Sequence, residues 1–474
     1  MALARAQNFG LAAARVGLEI SQLDPYIQRG IFDPTLQIDL NHNQSSRSAF
    51  SETSETSAST RSERSNLSIQ AIRPTRTGGN WILEYTADRT DISSALGSDS
   101  SGESWGSTTL LRYSHPLLEG AGAARTRSPI TQAEINTEIA AANLEREQLT
   151  LEQRVTAQYL AVLRAQRQLE TAALSLNVAE SLFEQVEAQV EAGSLARFEL
   201  TNAEGGLALR QESVLLAEQA EADALDALRQ LLGLPRDWPL TLADSLNTDP
   251  VLGLTHADSY AVALTARPEV TVIDLREELN TVRLADARDR LQDTLNLNAS
   301  AGLEGAGDEY GDSLSNMDDF SWSIGLQYII PLGTDHRAKG QASQAELAED
   351  QLALDRRELT TQIESDVAQA LRALTVAAQR LTITDTGVRV AEERLSNERA
   401  RLDLGLSTAQ QVLDVEEDVA IARRQRIDAE IAFAQSKAAF LAVLGLSQLE
   451  PLPASLDVPD LLPAPPVNSE EATE

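Results

Sequence analysis

Two heptad series separated by a constant distance constrain this chain more than any other feature. Val155, Val162, Leu169, Leu176, Phe183 and Val190 recur every seven residues, and Val367, Leu374, Leu381, Val388, Leu395 and Leu402 do the same. Each member of the second series lies 212 residues after its counterpart in the first, as do Gly405 after Gly193, Val412 after Leu200, Glu416 after Glu204 and Gly445 after Gly233. A fixed offset over so many positions marks one element written twice. Sustained seven-residue spacing drives left-handed supercoiling, because an ideal helix drifts against it. The spacing predicts coiled-coil helices from about Pro129 to Ala192 and from about Lys339 to Leu404, each roughly 95 Å long at about 1.5 Å per residue.

Each long helix meets a glycine and then resumes its apolar periodicity, in "EAGSLARFELTNAE" at Gly193 and in "DLGLSTAQQVLDVE" at Gly405. Glycine takes a positive φ at little steric cost and ends helices. Ser407 or Thr408 supplies an N-cap for the returning one. The expected result is a pair of helical hairpins with their tips near 193 and 405.

Between the helices the period changes from seven to two. "PTLQIDLNHN" (34–43) alternates Leu36, Ile38 and Leu40 with polar residues, the pattern of a strand with one apolar face. "NLSIQAIRP" and "NWILEYTADRT" form a hairpin around paired glycines, "STTLLRYS" follows, and "LNLNASAGL" and "FSWSIGLQYII" lie in the second half. The polar tract "QSSRSAFSETSETSASTRSERS", a second Ser/Gly/Asp stretch and the acidic "EGAGDEYGDSLSNMDD" read as loops. Trp81, Tyr85, Trp105, Tyr113, Phe320, Trp322 and Tyr328 concentrate near the expected strand ends, as an interfacial aromatic girdle would. No run of about 18 apolar residues exists, so membrane insertion would need a barrel. Four to six strands from one chain cannot close a channel-sized barrel, and open edges are not tolerated in lipid. Spanning strands would therefore require several copies.

A formal charge of −33, from 72 acidic and 39 basic residues, argues against a nucleic-acid partner. There is no cysteine, and His42, His115, His256 and His336 are scattered, so neither thiol chemistry nor a histidine metal site is expected. No nucleophile-base constellation, phosphate loop or cofactor motif stands out, which points away from an enzyme and from any cofactor. The opening "MALARAQNFG" has no apolar core of a secretory signal, so such a signal is expected to be missing from this numbering.

With repeat, tips and strands in view, the chain resembles the TolC-like outer membrane efflux proteins, the outer membrane factors. The resemblance rests on "ARPEV" (266–270), "HPLLEGAG" (115–122), "IPLG" (330–333) and the two tip motifs, in order and spread over almost the whole chain. It implies an α+β membrane protein: a homotrimeric outer-membrane β-barrel continued by a long periplasmic α-helical coiled-coil barrel, built from two internal repeats. It also implies a passive, gated duct of a tripartite efflux or type I secretion system. The tips would dock on a periplasmic adaptor protein, which links the duct to an inner-membrane transporter. By similarity, Gly193, Ser194, Leu195 and Ala196 with Gly405, Leu406, Ser407 and Thr408 would form that docking surface, their exposed leucines giving apolar contact. Gln411 and Asp414, with Glu199 in the first repeat, would line the pore constriction. A ring of Asp414 would attract cations and make gating sensitive to pH or divalent ions. Arg197, Arg401 and Asp403 are candidates for polar contacts that hold the tips shut. A structural or adhesive coiled-coil surface protein is the alternative.

The implied organisation is a first helix (1–33), strands and external loops (34–115), a long hairpin (116–235), an equatorial connector (236–256), a second-repeat first helix (257–293), two strands (294–331), a second hairpin (332–446) and an extended Pro-rich, acidic tail (447–474). The hairpin at 66–89 is additional to the pair of strands usual for a repeat. Three copies would give eighteen strands if it enters the barrel and twelve if it packs elsewhere.

Overall fold

The computed structural model describes residues 1–51, 56–94, 102–242, 255–404 and 406–447. Gly405, most of the 236–256 connector and nearly all of the expected tail lie outside the described residues. The chain divides into two compact units, one of residues 1–18, 140–273 and 354 onward, the other of 19–139 and 274–353. The two heptad helices are α3, Ala123–Glu191, and α8, His336–Asp403. Their returning partners are α4, Arg197–Leu232, and α9, Ala409–Val443. α3 starts ahead of Pro129, which sits in its second turn and leaves one ladder hydrogen bond unmade. Among the described residues no helix is long and apolar enough to cross a membrane.

Each expected first helix is broken once. The N-terminal one splits into α1, Ala2–Gln7, and α2, Phe9–Arg29, and the other into α5, His256–Ala266, and α6, Pro268–Asp289. Asn8 makes the first break by accepting from Leu11 N at 3.0 Å, a helix-starting bond that competes with continuation. Arg267 makes the second, because a residue preceding proline is pushed out of the helical region; its φ and ψ are −78° and 125°.

In the helical unit the same packing occurs twice. Ala4, Leu151, Val155, Val162, Leu228 and Leu232 form one cluster; Ala263, Ile363, Val367, Leu374, Phe440 and Leu444 form the other. The long-helix and return-helix members correspond at the offset of 212. The helix ends do too: Gly233 N and Leu234 N donate to Gln230 O and Arg229 O, and Gly445 N and Leu446 N donate to Ala442 O and Leu441 O. Both glycines have positive φ, 71° and 75°, and both press on a helix break. A Cβ at Gly233 would stand 2.6 Å from Gln7 O, and one at Gly445 2.7 Å from Ala266 O. A left-handed non-glycine residue costs about 1–2 kcal/mol, and an overfilled contact adds about as much. Gly445→Ala is therefore expected to lower stability by about 2–3 kcal/mol in denaturant titrations of the detergent-purified protein, against about 1 kcal/mol for Gly193→Ala, whose surroundings are open.

The second unit carries one six-stranded antiparallel sheet in sequence order: β1 (Thr35–Ser51), β2 (Thr56–Pro74), β3 (Asn80–Ser94), β4 (Gly102–Pro116), β5 (Thr294–Gly307) and β6 (Asp319–Ile329). Most of the polar tract expected as a loop is strand, since β1 and β2 pair from Thr35 and Ile72 up to Ser51 and Thr56. Ladder hydrogen bonds are indifferent to side-chain polarity, so Ser and Thr extend a hairpin beyond the region that needs an apolar face. The acidic loop likewise yields the end of β5 and a short helix, α7 (Tyr310–Ser315).

The register assigns every side chain of the sheet to one of two faces, because directly paired residues share a face and successive ones alternate. One row runs Ile38, Ile69, Tyr85, Thr109, Leu303, Phe320, and the next on the same face runs Leu36, Ala71, Leu83, Leu111, Ala301, Trp322. The intervening row, on the opposite face, runs Gln37, Gln70, Glu84, Leu110, Gly302, Ser321. All seven girdle candidates fall on the apolar face. Most also stand near strand ends: Trp81 and Phe320 are the second residues of β3 and β6, Tyr328 is the last but one of β6, and Tyr113 lies three from the end of β4 and stacks on Trp81 at 4.3 Å, while Tyr85 stands further in.

Candidate functional site

The tips of the two hairpins are built by one backbone device. Gly193, at φ +73°, donates to Val190 O at 3.0 Å while Ser194 N donates to Gln189 O at 2.9 Å, the paired bonds that close a helix through a left-handed residue. At the second tip Leu406 N donates to Arg401 O at 2.8 Å, again 212 residues on. The returning helices start differently. Thr408, not Ser407, is the N-cap of α9, in a capping box with Gln411: Gln411 N donates to Thr408 Oγ1 at 3.3 Å and Thr408 N to Gln411 Oε1 at 3.2 Å. Ser407 Oγ bonds Glu398 and Gln411 Oε1 instead. Ala196 caps α4 with no side-chain bond.

The pore candidates separate. Gln411 and Asp414 are exposed, Gln411 held by the capping box and Asp414 by Gln410 Nε2 at 2.8 Å. Glu199 is not with them: it is 8% exposed, and its Oε2 is buried without a hydrogen-bond partner among the described residues. Glu199 is the third residue of α4, whose start has no side-chain cap, and the first turn that leaves Phe198 exposed turns Glu199 inward. Of the gate candidates, Arg401 bonds Glu398 at 3.0 Å and the Leu406 carbonyl at 3.4 Å, within its own tip. Arg197 is exposed, and the Asp403 side chain lies outside the described residues, as does Gly405.

The apolar part of the tip surface differs from the expected one. Leu195 packs against the cluster of Leu182, Val186, Ala203, Val412 and Leu413, which joins the two hairpins. Leu406 is exposed, and Leu404 and Phe198 join it, at 74% and 62% exposure. Sequence reasoning passed over Phe198 and Leu404; the signal was a large apolar residue within two positions of each turn on the non-heptad face. It also missed Arg210 of α4, which bonds Glu416 at 3.1 Å and Glu417 at 2.6 Å on α9 with Glu416 only 5% exposed. This ion pair fastens one hairpin to the other just behind the tips. "ARPEV" acquires a structural meaning as well: Pro268 opens α6, while Arg267 bonds Asp366 of α8 at 3.1 Å and stands 3.6 Å from Glu269.

The arrangement has exposed small and apolar residues at two helical turns, an exposed carboxylate, Asp414, in the second turn of α9, and a sheet with one apolar and one polar face. Comparison with known proteins agrees with that combination. The family model described as outer membrane efflux protein matches residues 83–234 and 260–446. The pyoverdine export outer membrane protein OpmQ of Pseudomonas putida is 25% identical over 311 residues; the match spans 64% of this chain and 64%, less than two thirds, of that relative. Among solved structures, CusC superposes with a TM-score of 0.68 at 16% identity over 94% of this chain and 91% of its own. VceC of Vibrio cholerae gives 0.65 at 17% identity over 94% of each. At such identities these two likenesses concern the fold. The match of the family model over most of the chain goes further: this protein belongs to the outer membrane efflux protein family, the TolC-like channels.

Proposed function

We propose that three copies of this chain close a β-barrel in the outer membrane and a helical duct beneath it, and that the assembly is a passive, gated conduit for export. The observation that carries this reading is the two-faced sheet. Leu36, Ile38 and Leu40 on β1 and Trp322, Ile324 and Leu326 on β6 are each more than 60% exposed, on a face whose reverse carries Asn, Ser, Gln and Glu. A sheet in water hides such a face; a barrel wall turns it to lipid and its polar reverse to an aqueous lumen. Among the described residues β1 and β6 are also unpaired on their outer edges, which lipid does not tolerate and a neighbouring copy satisfies. The helices carry unpartnered seams of their own: Phe9, Val16, Ile20, Leu23 and Ile27 on α2, and Leu347, Leu354, Val376, Ile383 and Val390 on α8.

In this reading the tips are the inner mouth. Phe198, Leu404 and Leu406, beside Gly193, Ser194, Ala196, Gly405, Ser407 and Thr408, meet a periplasmic adaptor that hands substrate on from an inner-membrane transporter. Asp414, with Gln411 beside it, faces the pore. The energy comes from the transporter, and the chain itself carries out no chemistry. The name of the Pseudomonas putida relative, a pyoverdine export protein, supports the outward direction. An adhesive coiled coil accounts for the heptads and not for the exposed apolar sheet. Native mass spectrometry of protein released in mild detergent tests the assembly. Three copies are expected, with aggregation once detergent is withdrawn; a monomer soluble without detergent would overturn the proposal.

A further inference from the structure

We infer that the hairpin of β2 and β3 is a full part of the membrane wall, so that the barrel of three copies has eighteen strands and a correspondingly wide exit; the inference rests on the trimeric reading above. The hairpin is not an appendage to the sheet. β2 pairs with β1 and β3 along its length, and β3 with β4, so that without the hairpin β1 has no partner among the described residues. Its side chains keep both faces in phase with their neighbours. Leu67, Ile69 and Ala71 of β2 and Trp81, Leu83 and Tyr85 of β3 continue the apolar rows between β1 and β4.

The reverse face is equally continuous, and its polar groups bond across the strands. Gln70 Nε2 donates to Glu84 at 2.8 Å, Arg112 of β4 bonds Glu84 at 2.9 Å, and Asn66 donates to Asp88. The turn between β2 and β3 is tied to the chain segment that leaves the sheet for α3: Gly122 N donates to Thr77 O at 3.2 Å. A hairpin packed elsewhere, over helices or in water, needs neither an apolar face in register with the lipid-facing rows nor this anchor.

With strands about 4.8 Å apart and tilted about 40°, eighteen strands enclose a backbone cylinder roughly 35 Å across, against roughly 24 Å for twelve. The cross-section roughly doubles on the same geometry. The barrel then ceases to be the step that limits the size of hydrophilic cargo, and selection by size falls to the helical mouth.

The absence of cysteine makes any introduced thiol unique, which suits site-directed spin labelling in liposomes. Nitroxides are placed one at a time at Ile69 and Leu83, on the apolar face, and at Ser68 and Thr86, on the polar face; Ile324 and Ser323 of β6 serve as the reference pair. Labels at Ile69 and Leu83 are expected to relax several-fold more with oxygen than with a water-soluble nickel chelate, and those at Ser68 and Thr86 to show the reverse. Loss of that alternation in the hairpin while Ile324 and Ser323 retain it would overturn the eighteen-stranded wall and leave the membrane duct standing. Loss at the reference pair too would overturn the membrane reading and this inference with it.

Discussion

Ile324→Arg is expected to remove nearly all folded protein from the outer membrane, while Ser323→Arg, one residue away, leaves most of it in place. Ile324 is the middle of five apolar residues on the apolar face of β6, Phe320, Trp322, Ile324, Leu326 and Tyr328, and is 65% exposed. Its row continues through Ala299 and Tyr113 to Trp81. A guanidinium at the middle of a bilayer costs about 2–4 kcal/mol on a barrel's lipid face. In the proposed trimer three copies carry it at the same depth, so the total is about 6–12 kcal/mol, comparable to the whole stability of an ordinary domain. Ser323 points the other way and shares a hydrogen bond of 2.8 Å with Ser300, on the face assigned to water. The contrast is diagnostic because an exposed Ile→Arg change in a water-soluble sheet is usually worth no more than about 0.5 kcal/mol either way. The measurement is the fraction of heat-modifiable, membrane-extracted protein for each variant. Equal yields from the two would remove the lipid from the account.

Arg210→Ala is expected to loosen the tips by about 3–5 kcal/mol. Arg210 is 15% exposed at its side chain and holds two carboxylates, of which Glu416 is nearly buried. Removing one partner of a buried pair leaves the other charged and unsolvated, which costs more than the pair itself contributes. Pairing the change with Glu416→Gln should recover a large part of the loss, since no uncompensated charge remains. Hydrogen exchange at the backbone amides of residues 409–420 reads the effect locally. Protection is expected to collapse in the single variant and to return in the double one; unchanged protection in both would mean that Val412, Leu413 and their cluster hold the hairpins together without the ion pair.

Much of this molecule was legible because its helices are long and regular. The heptad positions from Val155 to Val190 and from Val367 to Leu402 are all buried or half-buried, and the first hairpin turns at Gly193. Periodicity reports the face a residue takes and says nothing of its partner. For that reason the Arg210–Glu416 pair, 206 residues apart, and the pairing of β4 with β5 across the whole first hairpin lay beyond reach. The polar halves of β1 and β2 failed for the opposite reason: composition marks a tract as loop, while the backbone of a paired neighbour makes it strand. Glu199 is buried where its equivalent Gln411 is exposed, a difference the repeat does not carry, because only the second tip has a capping box to fix that residue at the surface. The helix breaks at Asn8 and Arg267 were written in the sequence, as an Asn ahead of a helix and an Arg-Pro pair, and were overridden by the apolar pattern on either side.

The central claim, a duct whose inner mouth is lined by Asp414, is tested most directly by single-channel recording in planar bilayers. Wild type and Asp414→Ala are compared over a series of divalent-ion concentrations. The account predicts a small, cation-preferring conductance that divalent ions block in the wild type, and a block weakened at least tenfold by the substitution. A protein that inserts no channel, or one whose divalent block is the same with and without Asp414, would contradict it.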